Sequence, residues 1–233
     1  MPATEPRPAR TTEKPAASEP EEPQATMPPM PQTARGGAKG ARGGGRRGAR
    51  ALRADAQRNR ERLLSVAARA FAEGEAEVTL DSIAKDAGVG IGTLYRHFPT
   101  REALVEATYR NELARLGDAA DDLLATMPAD RATRQWMDGF IGYMTTKRGM
   151  ADALRVVVAS GGDPFAESLA RLLGAITTLL DAGAAAGTIR GDVQPRDVLA
   201  SLSGVSLAAG EPAQRDQADR MLDLLMDGLR YQG

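Results

Sequence analysis

Two short segments within residues 78–103 repeat one apolar spacing on either side of a glycine. Their apolar residues fall at positions i, i+3, i+4 and i+7, which is typical of a helix with one buried face. These residues are Leu80, Ile83, Ala84 and Ala87, then Ile91, Leu94, Tyr95 and Phe98. Gly88 follows the first set, where a glycine can adopt the left-handed conformation that ends a helix. The sequence therefore predicts two short helices joined by a tight turn.

The boundaries of these helices are marked by polar residues. Thr79 can cap the first helix with its side-chain oxygen, and Asp81 places a negative charge in the first turn, where the helix dipole favours it. After the glycine, only Val89 and Gly90 separate the two helices. A connection this short suits helices that cross steeply, with the second presented to a DNA groove. The segment 79–98 is thus predicted to be a helix-turn-helix motif.

Residues 93–104 read TLYRHFPTREAL. This segment resembles the signature T-[LIV]-Y-x-[HY]-F-x-[ST]-[KR]-[ED]-x-L of the TetR family of transcriptional repressors, and the resemblance extends over about residues 59–109. The chain departs from many relatives at Gly90 and Ile91, where they carry Ser and Lys. No base preference is therefore carried over from the family.

The resemblance implies an all-α fold in two parts. A three-helix DNA-binding domain at residues 55–110 contains the motif, and a helical domain at residues 111–233 binds an effector and dimerises. The apolar residues keep helical spacing from about Asp55 to the end, with no alternating strand pattern. Proline and glycine boundaries indicate about nine helices. The fourth helix, which begins at Arg101, connects the motif to everything that follows.

Residues 1–54 differ in composition from the rest of the chain. Their first part is rich in Pro, Glu, Ala and Thr and predicts a disordered tail. Residues 33–53 interleave Arg and Lys with Gly and Ala and contain no acidic residue, which predicts a flexible basic arm. Such an arm can enter the minor groove, bind single-stranded nucleic acid or stay solvated. The arginines assigned to the minor groove are Arg42, Arg46, Arg47 and Arg50.

The composition excludes several classes of protein. The chain has no cysteine, and His97 is its only histidine, so a zinc site is not expected. A catalytic triad would have to use this histidine, and the sequence contains neither a P-loop nor an H-E-x-x-H motif. There is no secretory signal and no apolar run of membrane-spanning length, which predicts a cytoplasmic protein. We therefore expect no enzymatic activity, no cofactor, no metal and no membrane partner.

If the second short helix enters the major groove, its glycine and polar positions face the DNA. Thr93 suits base contacts, through its methyl on thymine or its hydroxyl on a base edge, and Gly90 and Gly92 lie beside it. Other polar residues near the motif are assigned to phosphates. They are Thr79, Ser82, Arg96, His97 and Arg101. The resemblance adds the Tyr95 hydroxyl, although its ring is equally compatible with a core position.

The resemblance also implies that the last two helices form a four-helix interface with a second copy of the chain. The apolar residues assigned to this interface are Leu199, Leu202, Val205, Met221, Leu222, Leu225 and Leu229. The alternative is that these stripes close a core within one chain. For about half of the side chains that role must also hold.

Relatives place an effector pocket among the middle helices. The aromatic and flexible side chains assigned to its walls are Trp136, Met137, Phe140, Tyr143, Met144, Met150 and Phe165. Ordinary core is the alternative role for each of them. Arg155 and Arg171 are available to an anionic effector.

Taken together, these patterns predict a sequence-specific regulator of transcription. Its expected partners are double-stranded operator DNA, a second copy of the chain and a small-molecule effector. We expect a homodimeric repressor that leaves a palindromic operator when the effector binds. Two alternatives stay open: an activator, and a protein that coats DNA or RNA through the basic arm alone.

Overall fold

The computed structural model describes residues 44–73 and 78–230. Within these residues the chain forms nine α-helices, with a 3-10 turn at Pro212–Gln214, so the predicted all-α fold is confirmed. The helices are α1 (Gly44–Ala72), α2 (Leu80–Asp86), α3 (Ile91–His97), α4 (Arg101–Leu124), α5 (Ala129–Gly149), α6 (Ala151–Ala159), α7 (Ser168–Ala185), α8 (Pro195–Ala209) and α9 (Arg215–Leu229). In the described part of the chain, no helix is long and apolar enough to cross a membrane.

Helix α1 begins at Gly44, well before the start expected near Asp55. The prediction of a disordered segment through residue 54 is therefore wrong from residue 44 onward. Ala and Arg, which have high helix propensity, dominate residues 44–54, and extending an existing helix costs far less than nucleating one. Arg42 lies outside the described residues.

Three of the arm's assigned arginines, Arg46, Arg47 and Arg50, fall inside α1. Their backbone is therefore helical rather than part of a flexible arm, while their side chains are not among those described.

The apolar face of α1 packs behind the predicted motif. Leu63, Leu64, Ala67 and Phe71 are buried, and α1 contacts α2, α3, α4 and α5. This confirms that the first helix braces the two short helices. Gly149, the last residue of α5, lies so close to the carbonyl of Phe71 that an added Cβ would collide with it.

Helix α4 links the N-terminal helices to the C-terminal ones. Thr100 caps it, accepting a hydrogen bond from the Ala103 N–H at 3.1 Å. Its buried residues include Leu104, Tyr109 and Leu116, and it packs on α1, α5, α6 and α7. Helix α4 begins at Arg101, shortly after α3 ends at His97, so it connects the motif to the C-terminal helices.

Helices α5, α7, α8 and α9 complete the C-terminal core. Trp136, at its centre, donates a hydrogen bond from Nε1 to the Leu116 carbonyl at 2.7 Å. At the surface, Arg134 of α5 binds Asp223 of α9 at 2.7 Å and Asp219 at 3.4 Å. Ion pairs and apolar packing therefore hold α9 against α5.

Candidate nucleic-acid interface

The motif folds as its polar boundaries predict. The Thr79 hydroxyl accepts a hydrogen bond from the Ser82 N–H at 3.1 Å, and the Ser82 hydroxyl donates to the Thr79 carbonyl at 2.8 Å. Gly88 adopts the left-handed conformation with φ of 65°. The Val89 N–H then donates to the Ala84 carbonyl at 3.0 Å, which closes the end of α2. The Ser82 hydroxyl thus donates its proton within the cap, whereas the Thr79 hydroxyl only accepts there and keeps its own proton for another acceptor such as a phosphate.

Helix α3 packs on its neighbours through fewer apolar side chains than the sequence predicts. Leu94 and Phe98 are buried, but Ile91 is 37% exposed and Tyr95 is 49% exposed. The expectation that all four residues face the core is wrong for these two. Leu94 and Phe98 stand one above the other on the line that meets α1 and α2, whereas the other two lie to one side of it.

The exposed side of α3 carries most of the residues assigned to DNA. Gly90, Gly92 and Arg96 are exposed, and Thr93 is half-buried. The exposed Tyr95 ring leaves its hydroxyl accessible, which favours the phosphate interpretation over the core one. Among the described residues α3 therefore presents glycine, hydroxyl, aromatic and cationic groups together on one short helix.

His97 and Arg101 lie at the junction of α3 with its neighbours. The guanidinium of Arg101 donates a hydrogen bond to the Val78 carbonyl, which ties the start of α4 to the start of α2. His97 is half-buried and borders a cavity of about 410 Å³ together with Arg60 and Asn111. Arg101 therefore has a structural role beside any contact with phosphate.

Sequence reasoning missed two residues here. Arg60 of α1 lies over the Phe98 ring, 5.5 Å from its centroid, so the cation is held beside α3. Ile91 is an exposed apolar residue at the first position of the recognition helix. Its departure from the family pattern was the available signal, but its helical spacing suggested burial instead.

The residues assigned to the dimer interface mostly lie inside the chain. Leu202, Val205, Leu222 and Leu229 are buried, and Leu199, Met221 and Leu225 are half-buried against the same core. The four buried residues therefore fill the core role within one chain, because the most regular apolar stripe packs on the chain's own helices, and their part in an interface stays a prediction. On the outward sides of these helices, Leu207 of α8 is 86% exposed and Leu224 of α9 is 73% exposed.

The residues assigned to the effector pocket fall into two groups, one in the core and one at cavities. Trp136, Met137, Phe140 and Met150 are buried in the core, where helix packing needs large apolar side chains, which agrees with their alternative role, and their assignment to a pocket wall stays a prediction. Tyr143 borders a cavity of about 890 Å³ between α1, α4, α5 and the end of α8. Met144 and Phe165 border a second cavity of about 520 Å³, together with Arg155.

An N-terminal helix-turn-helix held on a helical C-terminal domain defines a DNA-binding regulator. Residues 63–108 match the family model described as bacterial regulatory proteins of the tetR family. Residues 128–231 match the model described as the C-terminal domain of SbtR-like transcriptional regulators.

Solved structures agree with both matches. A TetR transcriptional regulator from Streptomyces coelicolor is 53% identical, with a TM-score of 0.72 over 75% of this chain and 99% of that one. A TetR regulatory protein from Mycobacterium vanbaalenii is 36% identical, with a TM-score of 0.63 over 77% of this chain and 99% of that one. The chain belongs to the TetR family of transcriptional regulators, and it is a regulator rather than an enzyme.

Curated relatives match a short stretch of the chain. HTH-type transcriptional regulators from several strains of Staphylococcus aureus are 38% identical over 63 residues. The match covers 27% of this chain and spans about a third of the length of those relatives (34%). It therefore supports an HTH-type regulator and carries no information beyond those 63 residues.

Proposed function

We propose that this protein is a homodimeric repressor that binds a palindromic operator and leaves it when a small molecule binds the C-terminal helices. The observation that carries the proposal is the exposed side of α3, where Gly92, Tyr95 and Arg96 are accessible while Leu94 and Phe98 hold the helix in place. A single recognition helix covers only a few base pairs, so a regulator of this kind gains specificity by pairing two copies.

The roles of the α3 side chains follow from their chemistry. Thr93 contacts base edges, and the absence of a side chain at Gly92 lets the backbone approach the groove. Ile91 supplies an apolar contact to a thymine methyl, the kind of contact that distinguishes A·T pairs in the major groove. Arg96 and the Tyr95 hydroxyl bind phosphates, which fix the register of the helix on the duplex.

The second copy is proposed to dock on the outward sides of α8 and α9. Leu207 and Leu224 are the large apolar residues exposed there. The positions beside them on the same two helices are small and exposed, which allows close approach of helices: Ala200, Ser203, Gly204 and Gly228. An isologous dimer formed this way would present the two α3 helices with matching orientation.

Release is proposed to act through α4. This helix contacts α5, α6 and α7 and begins at Arg101, shortly after α3 ends at His97. An effector that favours one position of α4 would change the spacing of the two recognition helices and shift the population away from DNA.

Selection of bound sequences from random duplex DNA tests the proposal. We expect a palindrome whose two halves are about one helical turn apart or a multiple of it. A selected site without two-fold symmetry would contradict the dimer. Binding with no sequence preference would instead support the coating protein that acts through its basic arm.

A further inference from the structure

A cleft on the C-terminal helices combines apolar walls with one distinctive cation. It lies between α5, α6 and the segment that joins α6 to α7, has a volume of about 520 Å³, and is bordered by Met144, Lys147, Leu154, Val158 and Phe165. We call it the Lys147 cleft. Its volume falls within the range of small-molecule sites. Phe165 and Val158 are partly exposed, so the cleft opens to solvent.

Two of the three cations that border the cleft already have partners. Arg148 donates hydrogen bonds to the Ser206 carbonyl at 2.7 Å and to the Gly210 carbonyl at 2.6 Å, which fixes it against the end of α8. Arg155 pairs with Asp152 at 2.6 Å. Both charges therefore already interact with groups of the protein itself.

Lys147 is different. Its Nζ lies 5.0 Å from the centroid of the Phe165 ring and 5.8 Å from that of the Tyr109 ring. Burial lowers the pKa of Lys147, and no carboxylate among the described residues offsets this effect. Aromatic faces compensate a desolvated ammonium only in part. A negative charge entering the cleft would complete that compensation.

We propose that the Lys147 cleft binds a small organic carboxylate with an apolar body. The carboxylate pairs with Lys147, and the apolar body lies against Met144, Leu154 and Val158. This ligand class follows from the combination of apolar walls with a cation that no carboxylate in the described part of the chain pairs with. The role of this ligand as an effector rests on the repressor function proposed above. Its binding to the cleft can be tested separately.

The cleft is connected to α4 through Tyr109. This residue is buried, and its ring meets that of Phe165 edge to face at 5.2 Å. Its hydroxyl lies 2.8 Å from the Tyr143 hydroxyl and 2.8 Å from Ser168 Oγ, which joins α4 to α5 and α7. A carboxylate that draws Lys147 Nζ away from the two rings changes the contacts that hold α4.

Binding is tested by calorimetric titration of the full chain with decanoate, 1-decanol and acetate. We expect decanoate to bind more tightly than either of the others, because only decanoate has both the charge and the apolar body. Lys147→Met, which removes the charge but keeps an unbranched side chain one atom shorter, should weaken decanoate binding by about tenfold or more. Lys147→Arg should retain most of the affinity. Lys85→Met is the matched control, because Lys85 lies on α2, and it should bind decanoate as the wild type does.

Equal decanoate affinity in the wild type and Lys147→Met would overturn the site, as would acetate binding as tightly as decanoate. Absence of binding by decanoate, 4-phenylbutyrate and 2-naphthoate would overturn the ligand class. Melting curves of each variant show whether a loss of binding reflects unfolding. If Lys147→Met is unfolded, the decanoate affinity of Lys147→Arg is the measurement that tests the site.

The two proposals fail in different experiments. If random duplex DNA yields no specific site for the ligand-free protein, the repressor is wrong whatever the cleft binds. If a specific site is found and saturating decanoate leaves its affinity unchanged, the cleft is not the effector site and the repressor stands.

Discussion

The recognition motif and the last two helices respond differently to the same kind of sequence pattern. In the motif, apolar spacing and a glycine identify the fold, and Gly90, Gly92 and Arg96 outside the stripe are exposed, although Ile91 and Tyr95 within the stripe are exposed as well. In α8 and α9, equally regular stripes identify the core, while the exposed Leu207 and Leu224 lie outside them. Residues outside a buried apolar stripe are therefore good candidates for a binding surface. Residues of the stripe itself are poor candidates, because they pack on the chain's own helices.

The largest expected effect sharpens this contrast. Leu202→Ala should lower the free energy of unfolding by about 2–5 kcal/mol, because it leaves a cavity in the core. Leu207→Ala should change the free energy of unfolding of the subunit much less, because Leu207 is exposed, but it should weaken self-association. Urea unfolding at a fixed protein concentration and sedimentation equilibrium measure the two quantities.

A reversed result, with Leu202→Ala weakening self-association more than Leu207→Ala, would show that the stripe is the interface after all. Leu224→Ala serves as an independent check, because it changes the exposed leucine of the other helix.

The next effect tests the complement of the stripe in the motif. Thr93→Ala and Ile91→Ala should change the preferred bases, with a cost of about 1–3 kcal/mol at the affected position. Arg96→Ala should lower affinity evenly across sequences and reduce the salt dependence, since it removes a phosphate contact. Repeating the selection with each variant separates the two outcomes, and an unchanged site for Thr93→Ala would remove it from the base contacts.

Tyr95→Phe should have a smaller effect. Removing the hydroxyl costs about 1 kcal/mol of operator affinity if it binds a phosphate. Stability should hardly change, because about half of the ring is exposed and its packing is retained. Fluorescence anisotropy with the selected duplex measures the affinity. Unchanged affinity together with lower stability would restore the core interpretation.

The smallest effect concerns Lys147. A lysine whose pKa is lower in the folded state binds fewer protons there than in the unfolded chain, so stability rises as the pH approaches the ordinary value of 10.5. At pH 7 the desolvation cost is fully present, and Lys147→Met should melt slightly higher than the wild type. The difference should shrink as the pH rises towards 10. A variant that melts lower at pH 7 would show that the ammonium stabilises the fold.

Gain in stability with loss of ligand binding at one residue is the signature expected of a side chain retained for function. Lys147 was not identified from the sequence, where it is one more polar residue on an amphipathic helix. Arg155 and Arg171 were considered for an anionic effector, yet Arg155 pairs with Asp152 and Arg171 contacts Glu167 at 3.4 Å. Whether a cation has a carboxylate partner depends on its neighbours in the folded chain, and the sequence shows only those neighbours that lie a few positions away.

What the sequence determined by itself is local: the helix periods, the Thr79 cap, the Gly88 turn and the polar side of α3 all depend on residues within a few positions of one another. Tertiary structure decided which apolar stripe faces inward, how far α3 is exposed at Ile91, and where Lys147 meets Tyr109 and Phe165. The physical reason is that burial and electrostatic compensation depend on groups brought together from distant parts of the chain, whereas hydrogen bonding within a turn does not.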